Sequence, residues 1–201
     1  MSPLLKNYLP LVLKNLENLE QVKFLWQTII NFKKMGTVSR SSQSMSRKMS
    51  EYIDIEHDMI IVELGAGDGV ITKHILDKMS PKATLFVFEI NPELCEMISK
   101  IKDERMILIN DGAQYLQIHL EKHGFDHADH IISALPFMIL PQDLTQEVLN
   151  ISHQVLKKDG FFIQMHYSKS MIKWYKSIFS KVLISYVPLN IPPGYVFKCV
   201  K

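Results

Sequence analysis

The chain has 201 residues, 47% hydrophobic and 22% charged, the size and balance of one globular domain with an appendage. A formal net charge of +2 gives no electrostatic argument for a nucleic-acid partner. The two cysteines, Cys95 and Cys199, form no metal or redox spacing, and no apolar run is long enough to span a bilayer. With no secretory-type apolar stretch at the start, these features lead us to expect a reducing, cytoplasmic setting, with the chain soluble or on a membrane surface.

Residues 1–34 are Leu-rich, Lys-studded and poor in Gly. Leu5, Leu9, Val12, Leu16 and Leu19 repeat at helical spacing, interrupted at Pro10, where a helix must kink or restart. Val22, Leu25, Trp26, Ile29 and Ile30 form a second helical stripe, with Lys33 and Lys34 mostly off it. The polar stretch from Gly36 to Met49 reads as a loop entering a short helix, capped by Ser41 or Ser42.

From residue 59 the pattern is strand, turn, helix, repeated. "MIIVEL", "TLFVFEI", "MILIN", "HADHIISAL" and "GFFIQMHY" read as strands with helices between them. This alternation predicts an α/β protein with a doubly wound parallel sheet. "KVLISYVPL" and "YVFKCVK", on either side of "NIPPG", predict a closing antiparallel hairpin, which makes a seven-stranded, mostly parallel sheet.

The first strand ends in "VELGAGDG", with Glu63 two residues ahead of the glycine turn Gly65-Ala66-Gly67-Asp68-Gly69. Glycine permits a sharp turn and close approach of a ligand to the backbone. Glu89 ends the second strand about 20 residues after the last glycine, the place of a ribose-binding acid. The E-x-G-x-G-x-G spacing resembles the Rossmann-like methyltransferases that use S-adenosylmethionine (SAM). That resemblance implies a SAM site formed by Glu63, Gly65, Ala66, Gly67, Gly69, Glu89 and Ile90. It adds Asp111, Gly112 and Ala113 after the third strand, with Asp111 near the adenine amine, and Ser133 and Ala134 after the fourth.

The run Ala134-Leu135-Pro136-Phe137 resembles the Asn-Leu-Pro-aromatic loop of nucleobase amine methylases, with Ala in place of Asn. Ala134 has no side-chain acceptor for a planar base amine, and a site built on such a hydrogen bond loses specificity without it. Phe137 can stack on a ligand, line an apolar wall or fill the core.

Four segments together resemble the bacterial phospholipid N-methyltransferases, which methylate phosphatidylethanolamine towards phosphatidylcholine. They are "FLWQTIINFKKMGTVSRSS", "VELGAGDGVIT" with "FEIN", "ISALPFMILP" and "NIPPGYVFKCVK", and they cover about residue 20 to the end. The sequence departs from that pattern in "TVSRSS", where Arg40 replaces an expected Pro and Gln43 an expected basic residue. The resemblance implies helices and a cofactor-covering segment over residues 1–50, and a SAM methyltransferase domain over 51–201. It implies a peripheral enzyme on the inner face of the cytoplasmic membrane, with a phospholipid substrate, no nucleic acid and no metal. Phe24, Trp26, Lys33 and Lys34 have the aromatic and cationic chemistry of a bilayer contact, although such a helix can equally cover the sheet.

Three groups are candidates for the chemistry: Tyr195 after the Pro-Pro-Gly turn, the carbonyl of Leu135, and His166 as a proton acceptor at the end of the fifth strand. Arg40, Pro136 and Phe137 are candidates for substrate contact, with Arg40 suited to a lipid phosphate. His119, His123, His127 and His130 are closely spaced, but Gly124 breaks any helical face that would gather them round a metal. The competing readings are an RNA methyltransferase of the rRNA adenine dimethylase type and a methyltransferase for another small-molecule amine.

Overall fold

The structure is a computed structural model that describes residues 38–53, 59–190 and 192–201, with side chains from residue 43 onward. The helical stripes of residues 1–34, with Phe24, Trp26, Lys33 and Lys34, lie outside the described residues.

Helix α1 runs over Val38–Ser50. The sequence predicts a loop entering at Ser41 or Ser42, and the structure starts the helix earlier. Serine is a weak helix former, but Met45 and Met49 sit four apart and are buried on the sheet. Packing of that one face overrides the polar composition.

The alternation expected from residue 59 is present. The order is β1 (Ile60–Leu64), α2 (Val70–Leu76), β2 (Thr84–Phe88), α3 (Pro92–Ile98), β3 (Met106–Ile109), α4 (Leu116–Lys122), β4 (Ala128–Ser133), α5 (Gln142–Val155), β5 (Leu156–His166), α6 (Ile172–Ile178), β6 (Lys181–Val187) and β7 (Gly194–Val200). Local chemistry fixes several ends. Asn91 caps α3 by accepting from the N–H groups of Glu93 and Leu94, and Pro92 supplies a preset φ at its first turn. Gly69, at φ 78°, turns the chain into α2.

The seven strands lie in the order β3-β2-β1-β4-β5-β7-β6. The first five are parallel, and β7 runs antiparallel to both β5 and β6. The expected hairpin exists, with β7 inserted inside the sheet and β6 at its edge. One face packs Val62, Phe86, Ile131, Phe162 and Phe197 into a core with Leu116 of α4, Leu149 of α5 and Tyr175 of α6. The other packs Ile61, Leu85, Ile132, Ile163 and Val196 against Met45 and Met49 of α1, Ile75 of α2 and Ile98 of α3.

The strand order reverses between β1 and β4, so a crevice opens beyond their carboxyl ends. The register aligns that edge: Leu64 pairs with Phe88 of β2 and with Ser133 of β4, and Ser133 pairs with Gln164 of β5. Gly65, Glu89 and Ala134 therefore leave the sheet side by side.

Candidate active site

The turn after β1 is built on left-handed glycines, with φ of 75° at Gly65, 62° at Gly67 and 78° at Gly69. The N–H groups of Gly65 and Ala66 both donate to the Phe88 carbonyl, at 2.9 and 3.2 Å. A Cβ at Gly65 would stand 2.9 Å from Cδ2 of Leu135. The glycine turn and the loop after β4 are thus in direct contact, and only glycine combines that conformation with that clearance.

Glu89 is 1% exposed and braces the same turn. Its carboxylate accepts from Gly67 N–H at 2.8 Å and from Asn91 N–H at 2.9 Å. Its carbonyl accepts from the Asn110 amide and the Cys95 thiol. An anionic acceptor is thereby fixed at the end of β2, beside the glycine backbone.

Glu63 lies fully buried under the turn. One carboxylate oxygen accepts from the Thr72 hydroxyl at 2.7 Å, and the other has no partner. Burial pushes this carboxyl up to about 8, helped by the nearby charges of Glu89 and Asp68 and opposed by the Thr72 hydrogen bond. A buried acid with an unpartnered oxygen, below backbone kept bare of Cβ, fits a cationic ligand that carries ribose hydroxyls.

Asp111 is committed within the protein: one oxygen accepts the Gly112 N–H and the other pairs with His119, each at 2.8 Å. Gly112 and Ala113, which follow it, are buried, while Ile90 is half-buried beside Glu89.

The loop after β4 is held at several points. Ala134 N–H donates to the Leu64 carbonyl at 3.0 Å, and Leu135 N–H to the buried Ser133 hydroxyl at 3.3 Å. Sequence reasoning missed Gln164, whose amide Nε2 donates to the Leu135 carbonyl at 2.9 Å while its Oε1 is buried without a partner. Its signal was visible as one Gln inside the apolar strand "FFIQM". Leu135, Pro136 and Ala134 remain half-buried at the crevice.

Two candidates are buried. Phe137 is 3% exposed and its ring lies 6.4 Å from that of Phe162, so it packs in the core. His166 is buried too, with Nε2 2.7 Å from the Tyr175 hydroxyl and its ring against Phe197. Burial alone lowers its pKa to about 4, which makes it a poor proton acceptor and a good core hydrogen-bonding group.

Tyr195 pairs in register with His166 and lies at the carboxyl edge of the parallel strands. Its ring is 5.3 Å from that of Tyr186, and the Lys169 ammonium stands 5.0 Å from its centroid. Arg40 falls within α1, and its side chain is outside the described residues. The histidines have separate partners: His123 meets the His119 carbonyl, His127 meets Asp126, and His130 stacks on Phe161.

No family model matches the chain. It is 30% identical over 169 residues to the ornithine lipid N-methyltransferase of Singulisphaera acidiphila, a match that spans 82% of this chain and 88% of that one. A shorter match, 31% over 83 residues, joins 41% of this chain to 27% of the ribosomal RNA small subunit methyltransferase H of Flavobacterium johnsoniae. The fold is shared with the 1,6-didemethyltoxoflavin-N1-methyltransferase of Burkholderia thailandensis, solved with S-adenosylhomocysteine, at a TM-score of 0.69 and 12% identity over 94% of this chain and 89% of that one. The glycine turn, the Glu89 brace and a match along most of both chains agree: this protein belongs, with the ornithine lipid N-methyltransferase, to one family of SAM-dependent methyltransferases.

Proposed function

We propose that the enzyme methylates the amine of a membrane lipid, and that this lipid is phosphatidylethanolamine with its mono- and dimethylated forms, leading towards phosphatidylcholine. The observation that carries the lipid amine is the near full-length similarity to a lipid N-methyltransferase. The loop supports it, because Ala134 provides no side-chain acceptor for a planar nucleobase amine. The same similarity favours a second reading, an ornithine lipid, whose amine also sits on a flexible arm.

When bound, SAM supplies a methyl group on a positively charged sulfur. The task of the chain is then to hold the donor, align the amine and favour its neutral form. The turn from Gly65 to Gly69 and the Glu89 carboxylate are the donor's cradle in this reading, with Glu63 beneath it. The Leu135 carbonyl, steadied by Gln164, accepts from the amine, and Tyr195 offers an aromatic face to the increasingly methylated cation. A buried ammonium beside another cation has a lowered pKa, which releases the nitrogen lone pair.

The test gives the protein labelled SAM with vesicles of phosphatidylethanolamine, vesicles of ornithine lipid, or bulk RNA. Label in mono- and dimethylated phosphatidylethanolamine is expected. Label only in ornithine lipid would select the second reading, and label only in RNA would end both.

A further inference from the structure

Large apolar side chains are exposed at one edge of the molecule. Met138 and Ile139 come from the loop after β4, Tyr167 from the loop after β5, and Tyr186 and Leu189 from the β6–β7 hairpin. Leu189 is 78% exposed. These segments touch one another. The Ser170 hydroxyl donates to the Met138 sulfur at 2.8 Å. Tyr167 lies beside Gly194 and its hydroxyl meets the Asn190 side chain. Tyr186 packs on Tyr195, over which the exposed Lys169 is placed. The result is one continuous rim around the carboxyl edge of the sheet, where the crevice opens.

The charge pattern of this rim is one-sided. The segments 134–141, 167–171 and 188–193 contain no Asp or Glu, and their one charged residue is Lys169. Exposed aliphatic side chains and tyrosines beside a lysine, with no acid among them, have the chemistry of a bilayer interface: acyl chains, headgroup level and anionic surface. A soluble protein seldom leaves such side chains contiguous without a partner.

We propose that this rim is a bilayer-docking face, set on membranes that carry anionic lipid, so that the crevice opens straight into the lipid phase. The inference rests on the lipid-amine reading, and it assigns the contact to the loops after β4 and β5 and the β6–β7 hairpin, whatever Phe24 and Trp26 contribute. A lipid then reaches the methyl donor by sliding its headgroup past Tyr186 and Tyr195 while its acyl chains stay in the membrane.

The test uses the full chain with Ile139→Glu and Leu189→Glu, alone and in a Phe24→Glu, Trp26→Glu background that removes any contact through the N-terminal segment. Binding to vesicles with and without phosphatidylglycerol is read by flotation, SAM affinity by calorimetry, and methylation on a short-chain lipid below its micelle concentration. The rim pair is expected to weaken vesicle binding by about tenfold or more, with SAM affinity and short-chain turnover retained. Unchanged vesicle binding in both backgrounds would overturn the proposal, as would a concentration-dependent dimer that the rim pair abolishes. Vesicle binding by the unaltered protein without methylation of any lipid would remove the substrate reading and leave the rim standing.

Discussion

At the scale of single residues, the site depends on groups that brace the backbone. Glu89 accepts from N–H groups on two segments, the glycine turn and the start of α3. Glu89→Gln keeps the shape and one acceptor oxygen but loses the charge and the second acceptor. It should weaken SAM binding by about tenfold or more, since hydrogen bonds to charged groups are worth about 1.5–3 kcal/mol. Titration calorimetry measures this, and unchanged affinity would remove Glu89 from the cofactor cradle. Glu89 was legible in the sequence because a strand-end acid at a set distance from a glycine turn has few other uses. Phe137 was not, because an aromatic in a loop gives no sign of which way it turns. Its position is decided by space beside Phe162, a partner 25 residues on in the chain.

At the scale of elements, hydrophobic pattern located the strands and most helices but not their irregularities. β5 pairs Leu156 with Ala128 and then Phe161 with His130, so four residues of β5 bulge out opposite Asp129 alone. Asp159 takes φ 65° there, a left-handed conformation that Asp tolerates better than most residues. Gly160 closes the bulge: a Cβ on it would lie 2.6 Å from the Asp129 carbonyl oxygen and 2.8 Å from that of Lys157. Neither oxygen can swing away as a side-chain tip does. Gly160→Ala should therefore destabilise the fold by about 1–3 kcal/mol through overpacking, read as a lower denaturant midpoint. An unchanged midpoint would mean that β4 and β5 separate more freely than this packing implies. The sequence "KKDG" signalled a turn, while its place inside a paired strand depends on β4 and was not readable locally. The start of α1 was hidden in the same way, since serines mask a helix whose buried methionines fall only four apart.

At the scale of the whole molecule, three buried titratable groups set opposing limits on stability with pH. Glu63 is raised to about 8, while His130 and His166 are lowered to about 4, each chiefly by burial. The stability linked to protonated Glu63 is full below its unfolded value of 4.5 and is lost as pH rises through about 8. The stability linked to the neutral histidines is full above their unfolded value of 6.5 and is lost as pH falls through about 4. For these three groups the opposing slopes balance at about pH 6.5. The thermal midpoint of the SAM-free protein should peak near there, and Glu63→Gln should flatten the alkaline limb and steepen the rise between about pH 4.5 and 6.5. A limb that persists in Glu63→Gln would assign it to another group. The sheet itself was largely legible, because seven β-patterned runs with helices between the first five permit few arrangements. That β7 enters between β5 and β6 was not, because it is a matter of pairing and leaves no trace in either strand's own pattern.

This insertion bears on how the molecule is made. Among the described residues β6 pairs with the sheet only through β7, and β7 follows it along the chain. During synthesis β6 must therefore wait, unpaired, until the strand after it has been produced. The strands through β5 can assemble while the chain is still growing, but β5 keeps an open edge in the meantime. The β6–β7 hairpin then docks onto a waiting sheet, and that step also brings Tyr195 to the rim of the crevice.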